Sequence, residues 1–213
     1  GTHDHADDPR NADVLVWVNG ELLPRPEAVV SVFDSGFVLG DGVWEGLRVH
    51  DGHPAFLEKH LDRLYQGATA ILMDVGMDRE QLTRAIYETI AANDMRDGVH
   101  IRLTLTRGVK VTSGMDPRLN QSGPTLIVLA EHKPPVYDTG GLRLVTSAFR
   151  RFAPDMLDPK IHHNNLIPSI LAICLGVAGC ETDGDDDTIL LGDADTTAEA
   201  ITYWSDEHPE LSA

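Results

Sequence analysis

Lysine is scarce in this chain, and Lys59, Lys110, Lys133 and Lys160 are the complete set. A lysine amine whose charge is disfavoured by burial is a nucleophile that condenses with carbonyl compounds. Lys59 stands beside Glu58 on an expected helix, Lys110 lies in a polar loop, and Lys133 precedes two prolines. Lys160 sits in Leu157-Asp158-Pro159-Lys160-Ile161-His162-His163-Asn164-Asn165-Leu166, a rigid connection between an expected strand and an expected helix. By position alone it reads as a solvated surface lysine. Three arginines are candidates for holding anions, because a planar guanidinium grips phosphate or carboxylate in a bidentate way that an ammonium cannot. Arg63 has a helical phase that points it away from the Leu57/Leu61/Leu64 stripe; a solvent pair with Asp62 is the plain alternative. Arg102 shares a strand face with His100 and Thr104 by the period-two rule, and Arg118 lies in the loop Gly114-Met115-Asp116-Pro117-Arg118.

Other patterns carry less. Gly40-Asp41-Gly42-Val43-Trp44-Glu45 has a glutamate where a dinucleotide fingerprint needs its third glycine. His162 and His163 are adjacent and cannot face one metal together on a regular element. His3-Asp4-His5 belongs to a polar terminus, and residues 183–187 lack the spacing of a calcium loop. No metal is expected.

The net charge of −17, with Lys+Arg 17 against Asp+Glu 34, argues against nucleic-acid and anionic-membrane partners. Aspartate outnumbers glutamate and arginine outnumbers lysine, the surface of a protein kept soluble at high salt. No apolar run is long enough to span a bilayer, and the acidic first residues do not read as a signal peptide. Cys174 and Cys180 make no disulfide framework, so a cytoplasmic setting is the expectation.

These residues must be positioned by an α+β fold. Residues 1–12 are expected to be a disordered tail. Residues 13–133 read as an N-terminal domain in which an antiparallel sheet carries two helices. Strands are expected at 14–18, from 21, at 29–33, 43–50, 54–56, 99–107 and 125–131. Asn19-Gly20 and Asp51-Gly52 supply hairpin turns. Helices are expected at 57–73, with Leu57, Leu61, Leu64 and Ala68 inward, and at 79–93, with Leu82, Ile86 and Ile90 inward. Residues 134–139 read as a linker. Residues 140–213 read as a shortened second domain, with strands at 142–147 and 189–191 and a helix at 165–178.

Gly36-Phe37-Val38-Leu39-Gly40-Asp41-Gly42-Val43-Trp44-Glu45-Gly46-Leu47-Arg48 resembles the N-terminal signature of the class IV, fold-type IV aminotransferases. His60-Leu61-Asp62-Arg63-Leu64 and Lys160-Ile161-His162-His163-Asn164-Asn165-Leu166 resemble two further motifs of that family, in its order. The resemblance covers residues 14–172 well and 173–204 poorly. It implies pyridoxal 5′-phosphate bound covalently through Lys160, with Arg63 on its phosphate, Asn165 nearby and Glu199 at its pyridine nitrogen. It implies Arg102 at the substrate carboxylate in the branched-chain enzymes, or Arg118 in the D-amino-acid enzymes. Trp44 and Phe37 match positions that line the side-chain pocket; as plain residues both read equally as core aromatics. The implied reaction moves an amino group between a branched-chain amino acid and a 2-oxo acid, in a homodimer. D-amino-acid transamination, aminodeoxychorismate lyase activity, or a non-catalytic fragment of the family are the alternatives. The last arises because family members continue well past the Glu199 segment.

The charge has a direct consequence. Self-repulsion acts over about 30 Å at 0.01 M salt and about 3 Å at 1 M. The melting temperature is expected to rise between dilute and molar potassium chloride, and a thermal melt at each concentration checks it.

Overall fold

The computed structural model describes residues 8–134, 147 and 150–178. The chain divides into two compact units, Gly1–Gly141 with Asp158–Asn165, and Leu142–Leu157 with Leu166–Ala213. The Lys160 segment therefore returns to the first unit.

That unit is built on a six-stranded antiparallel sheet in the order β2-β1-β6-β5-β3-β4. The strands are β1 (Leu15–Val18), β2 (Glu21–Pro24), β3 (Gly42–His50), β4 (His53–Pro54), β5 (Val99–Thr106) and β6 (Thr125–His132). Asn19 and Gly20 close the first hairpin at φ 48° and 102°, where glycine carries no Cβ penalty. β6 and β5 are central, as the nearly unbroken apolar run of β6 requires. β3 pairs with β5 over nearly its whole length, from Gly42 opposite Thr106 to Val49 opposite Val99.

Alternation sends Val43, Leu47, Val49, Ile101, Leu103, Leu105, Leu126, Val128 and Ala130 to one face. Leu61, Leu64 and Ala68 of α2 (Leu57–Ala70) and Leu82, Ala85, Ile86 and Ile90 of α3 (Arg79–Ala92) complete that core. α3 begins with a full capping box, Asp78 and Gln81 each bonding the other's backbone N–H. Its exposed Arg84–Glu80 pair is the expected i,i+4 contact.

Three expectations change. Residues 29–33 form no strand, because Ser31 draws the Phe33 and Asp34 backbone N–H groups into a local turn. The chain instead enters a short helix, α1 (Ser35–Leu39), capped by Asp34 and ended by Gly40 at φ 67°. Five residues give too little periodicity to be read from sequence. The end of the expected tail is also built in: Pro9–Asn11 is a 3-10 turn, and the Asn11 side chain exchanges two hydrogen bonds with the His132 backbone. In the second unit, α4 spans Ile167–Ala178, two residues shorter than expected. The expected strand at 189–191, Glu199, and nearly all of the linker and of the strand at 142–147 lie outside the described residues.

One packing feature positions the Lys160 segment. The edge of β3 not taken by β5 receives residues 162–164 over its first half, with Trp44 N–H donating to His162 O at 2.8 Å and Asn164 N–H to Gly42 O at 3.0 Å. This close approach needs glycine: a Cβ on Gly42 would lie 2.5 Å from Asn164 Nδ2 and 2.6 Å from Leu105 O. Gly42→Ala is expected to cost about 1–3 kcal/mol and to loosen the Lys160 segment. Gly52→Ala, with nothing within 4 Å of its Cβ, should cost only the strain of its φ of 77°. Denaturant melts of the two variants, with proteolysis at the Lys160 segment, check the contrast.

Candidate active site

The alternation of β3 places a carboxylate in an apolar row. Glu45 lies between Val43 and Leu47 on the core face, and its side chain is 0% exposed. Such a group is tolerated only with strong partners. Arg63 Nε donates to Glu45 Oε1 at 2.6 Å and Arg63 Nη2 to Glu45 Oε2 at 2.6 Å, a bidentate pair. His60, one turn earlier on α2, meets Glu45 Oε2 through Nδ1 at 2.7 Å. His162 Nδ1 stands 3.5 Å from Glu45 Oε1, beyond the range of a good hydrogen bond. Burial alone would push the Glu45 carboxyl up; Arg63, His162 and His60 outweigh it and hold it at about 2. An ionised carboxylate only accepts, so His60 Nδ1 carries the hydrogen. The same contact raises the pKa of Arg63.

The plain alternative for Arg63 is thereby removed. Asp62 pairs with Arg79 at 2.6 Å, while Arg63 turns to Glu45. The Arg63 side chain remains 46% exposed. Two of its five N–H donors serve Glu45, which leaves three for another acceptor. That donor set fits a phosphate.

Lys160 is exposed, against the burial expected of a carbonyl-reactive lysine. Its backbone N–H donates to Asp158 Oδ1 at 2.9 Å, an Asx turn that fixes the chain direction. Two residues on, His162 lies against Glu45 and tilts over the Trp44 ring at 3.8 Å between centroids. Arg63 and the segment that follows Lys160, far apart in the chain, thus meet at β3 through Glu45 and His162. Asn165 Nδ2 bonds Gly40 O at 3.1 Å, and Trp44 Nε1 bonds His163 O at 3.1 Å, which closes the segment against β3 and the end of α1.

The opposite face of the sheet carries Arg48, His100 and Arg102, with Glu131 across from His100. Arg102 lies over the Trp44 ring at 3.6 Å, is half-buried, and has its pKa lowered by burial to about 10. Arg48 Nη1 donates to Lys133 O at 2.6 Å, while Arg48 Nη2 and His100 Nδ1 are buried without a hydrogen-bond partner among the described residues. Burial, with Lys133, Arg48 and Arg102 nearby, lowers His100 to about 4. The unmet Arg48 Nη2 donors and the half-desolvated charge of Arg102 suit a carboxylate. Gly46 makes the room, since a Cβ there would meet His100 Nε2 at 3.0 Å. Arg118 is elsewhere, 89% exposed and already paired with Asp116 at 2.5 Å. Phe37 is 74% exposed on α1, not in the core, and Trp44 is half-buried.

Sequence reasoning missed Glu45, His60, Arg48 and His162. A signal existed for Glu45: it interrupts the Val43-x-x-x-Leu47-x-Val49 apolar alternation. Among the described residues there is no group of three or more potential metal ligands. No described helix is long and apolar enough to cross a membrane.

The family model described as amino-transferase class IV matches residues 42–202, well over half of the chain. Branched-chain-amino-acid aminotransferase-like protein 1 of Arabidopsis thaliana is 57% identical over 165 residues, which are 77% of this chain and 30% of that protein. The branched-chain aminotransferase of Thermoproteus uzoniensis, solved with norvaline, matches with a TM-score of 0.71 at 26% identity, over 78% of this chain and 57% of that one. The T.th. branched-chain amino acid aminotransferase complexed with N-(5′-phosphopyridoxyl)-L-glutamate matches with a TM-score of 0.69 at 30% identity, over 78% of this chain and 55% of that one. The chain thus spans 30% of the Arabidopsis relative and just over half of each solved chain. The expected fold-type IV architecture of antiparallel sheet and helices is borne out. The convergence of the three sequence motifs on one strand agrees with these likenesses: the chain belongs to the class IV aminotransferases.

Proposed function

We propose that this chain takes part in pyridoxal-phosphate-dependent transfer of an amino group between a branched-chain amino acid and a 2-oxo acid. The observation that carries the reading is the convergence of Arg63 and the Lys160 segment on Glu45 of β3. Bound pyridoxal 5′-phosphate supplies an electron-withdrawing ring that the protein cannot make itself. Arg63 receives its phosphate with the three N–H donors not used by Glu45. Lys160 would hold it through its side-chain amine and, once the substrate's amine has displaced that amine, would be free to act as the base that takes the amino acid's Cα proton and as the acid that returns a proton. Asn165, tied to Gly40, steadies the lysine segment, and Glu199 supplies the carboxylate for the pyridine nitrogen. Arg102, with Arg48 Nη2 beside it on the same face, takes the substrate carboxylate. Trp44 and the exposed Phe37 give an apolar wall for a branched side chain.

The contrast between the two arginines favours this over D-amino-acid transamination. Arg102 is half-buried with no carboxylate partner among the described residues, whereas Arg118 has its charge already met by Asp116. A homodimer belongs to the same proposal, and the exposed Phe33, Val111 and Met115 offer apolar surface for it.

The test is a titration of the purified chain with pyridoxal 5′-phosphate, followed in the visible, then borohydride reduction and peptide mapping. The expected result is a cofactor fixed on Lys160, absent in Lys160→Ala and kept in Lys133→Ala. Amino transfer from leucine, isoleucine or valine to 2-oxoglutarate should fall at least about 1,000-fold in Lys160→Ala, the scale of a lost acid–base group that is also the covalent anchor. A chain that takes up no cofactor, or fixes it on another lysine, overturns the proposal. Turnover of D-alanine in preference to the branched-chain L-amino acids overturns the substrate assignment.

A further inference from the structure

We infer that Glu45 is a positioning residue: a carboxylate anchored in the core that aims the Arg63 guanidinium at the cofactor phosphate. The inference rests on the proposed cofactor role of Arg63 and Lys160, and extends it to a residue that touches neither cofactor nor substrate.

The pair is asymmetric. The Glu45 end is 0% exposed, within the apolar row of β3, and the Arg63 end is 46% exposed. For stability alone, a leucine or valine at position 45 would serve as well as a buried carboxylate, whose desolvation its partners must offset. What the carboxylate adds is direction. The Nε/Nη2 edge of the guanidinium is bound at 2.6 Å on both atoms, so its plane is set, and both N–H donors of Nη1 are left for another acceptor. His60 Nδ1 at 2.7 Å holds the carboxylate from the same helix and restricts its rotation. His162 Nδ1, 3.5 Å from the other oxygen, extends the cluster to within two residues of Lys160. One carboxylate therefore stands beside both α2, which carries Arg63, and the segment that follows Lys160. Both are needed at opposite ends of one small molecule, and a preset geometry removes an ordering cost from binding.

Glutamine cannot substitute. In either orientation its amide NH₂ would face an N–H donor of Arg63, leaving one of the two guanidinium hydrogen bonds unmade. Aspartate keeps the charge but withdraws it by one methylene.

The experiment separates aiming from general structure by comparing pyridoxal 5′-phosphate with pyridoxal, which lacks the phosphate. Both are titrated against the full chain and against Glu45→Gln, Glu45→Asp and Arg63→Ala, with visible absorption as readout. Pyridoxal 5′-phosphate affinity is expected to fall about 10- to 100-fold in Glu45→Gln and by less in Glu45→Asp, with pyridoxal affinity unchanged. Glu45→Gln/Arg63→Ala should be no weaker than Arg63→Ala alone, because Glu45 acts through Arg63. An equal loss for both ligands, or additive losses in the double variant, overturns the inference. A cofactor-free readout keeps the inference distinct from the reading beneath it. The Arg63 Nε–H proton resonance of the chain without cofactor should be sharp and slowly exchanging in the wild type and exchange-broadened in Glu45→Asp. If the wild-type chain binds no cofactor, the proposed function fails, while a mobile Arg63 Nε–H in the wild type overturns the clamp itself.

The pH dependence provides a further check. Glu45 ionises at about 2 in the folded chain, against an ordinary 4.5. Its contribution to stability is present above about pH 4.5 and is lost as pH falls toward about 2. Glu45→Gln should lack that part of the acid loss, and an acid titration of both proteins reads it. Identical acid curves overturn the clamp.

Discussion

A carboxylate buried on β3 is the constraint on which the site depends. Glu45 occupies a position where the sheet's alternation calls for an apolar side chain, and an unpaired charge there would cost several kcal/mol. Its partners must therefore be brought to it, and they come from elements distant in sequence: His60 and Arg63 from α2, and His162 from the segment that follows Lys160. The need to satisfy one buried anion thus draws together residues that chemistry at the site would need close. The contacts that settle the buried charge are the same ones on which the proposed chemistry would draw.

The sheet divides the labour between its faces. Toward the helices, apolar rows and the capped α3 make an ordinary dense core with Glu45 as its one charged member on β3. On the other face, Trp44, Arg48, His100 and Arg102 gather on β3 and β5 around the space left by Gly46. Two of them are arginines, although the whole chain carries −17. The unmet Arg48 Nη2 donors and the half-buried charge of Arg102 on this face suit a carboxylate.

Rigidity around the site is supplied by fully bonded polar groups. Asp34 is buried and accepts from Gly36 N–H and Thr125 Oγ1, which pins the start of α1. Asn120 donates to Ser35 Oγ and Gly108 O and accepts from the buried Lys110 amine, which ties the loop after β5 to the same place. Arg107 joins Asp41 to the Ile71 and Leu72 carbonyls at the end of α2. These groups fix the start of the strand that carries Trp44 and Glu45. A polar network with every partner present holds one arrangement, where an apolar contact would tolerate several.

Much of this was legible in the residues alone. Period-two alternation gave most of the strands, the leucine stripes gave α2 and α3, and Asn19-Gly20 and Asp51-Gly52 gave the hairpins, because each is a local property of a few neighbouring side chains. The three motifs identified Lys160 and Arg63 for the same reason: their meaning lies in adjacent residues. The folded chain decided what local pattern cannot. Helical phase put Arg63 outside the leucine stripe but could not say that Asp62 would pair with Arg79 and leave Arg63 to Glu45. Alternation put Glu45 on the core face, yet the carboxylate became intelligible only when α2 and residues 162–164 closed on β3 from far along the chain. Periodicity specifies which way a side chain points; which group it meets is set by long-range packing, and a buried charge is explained only by the partner it meets.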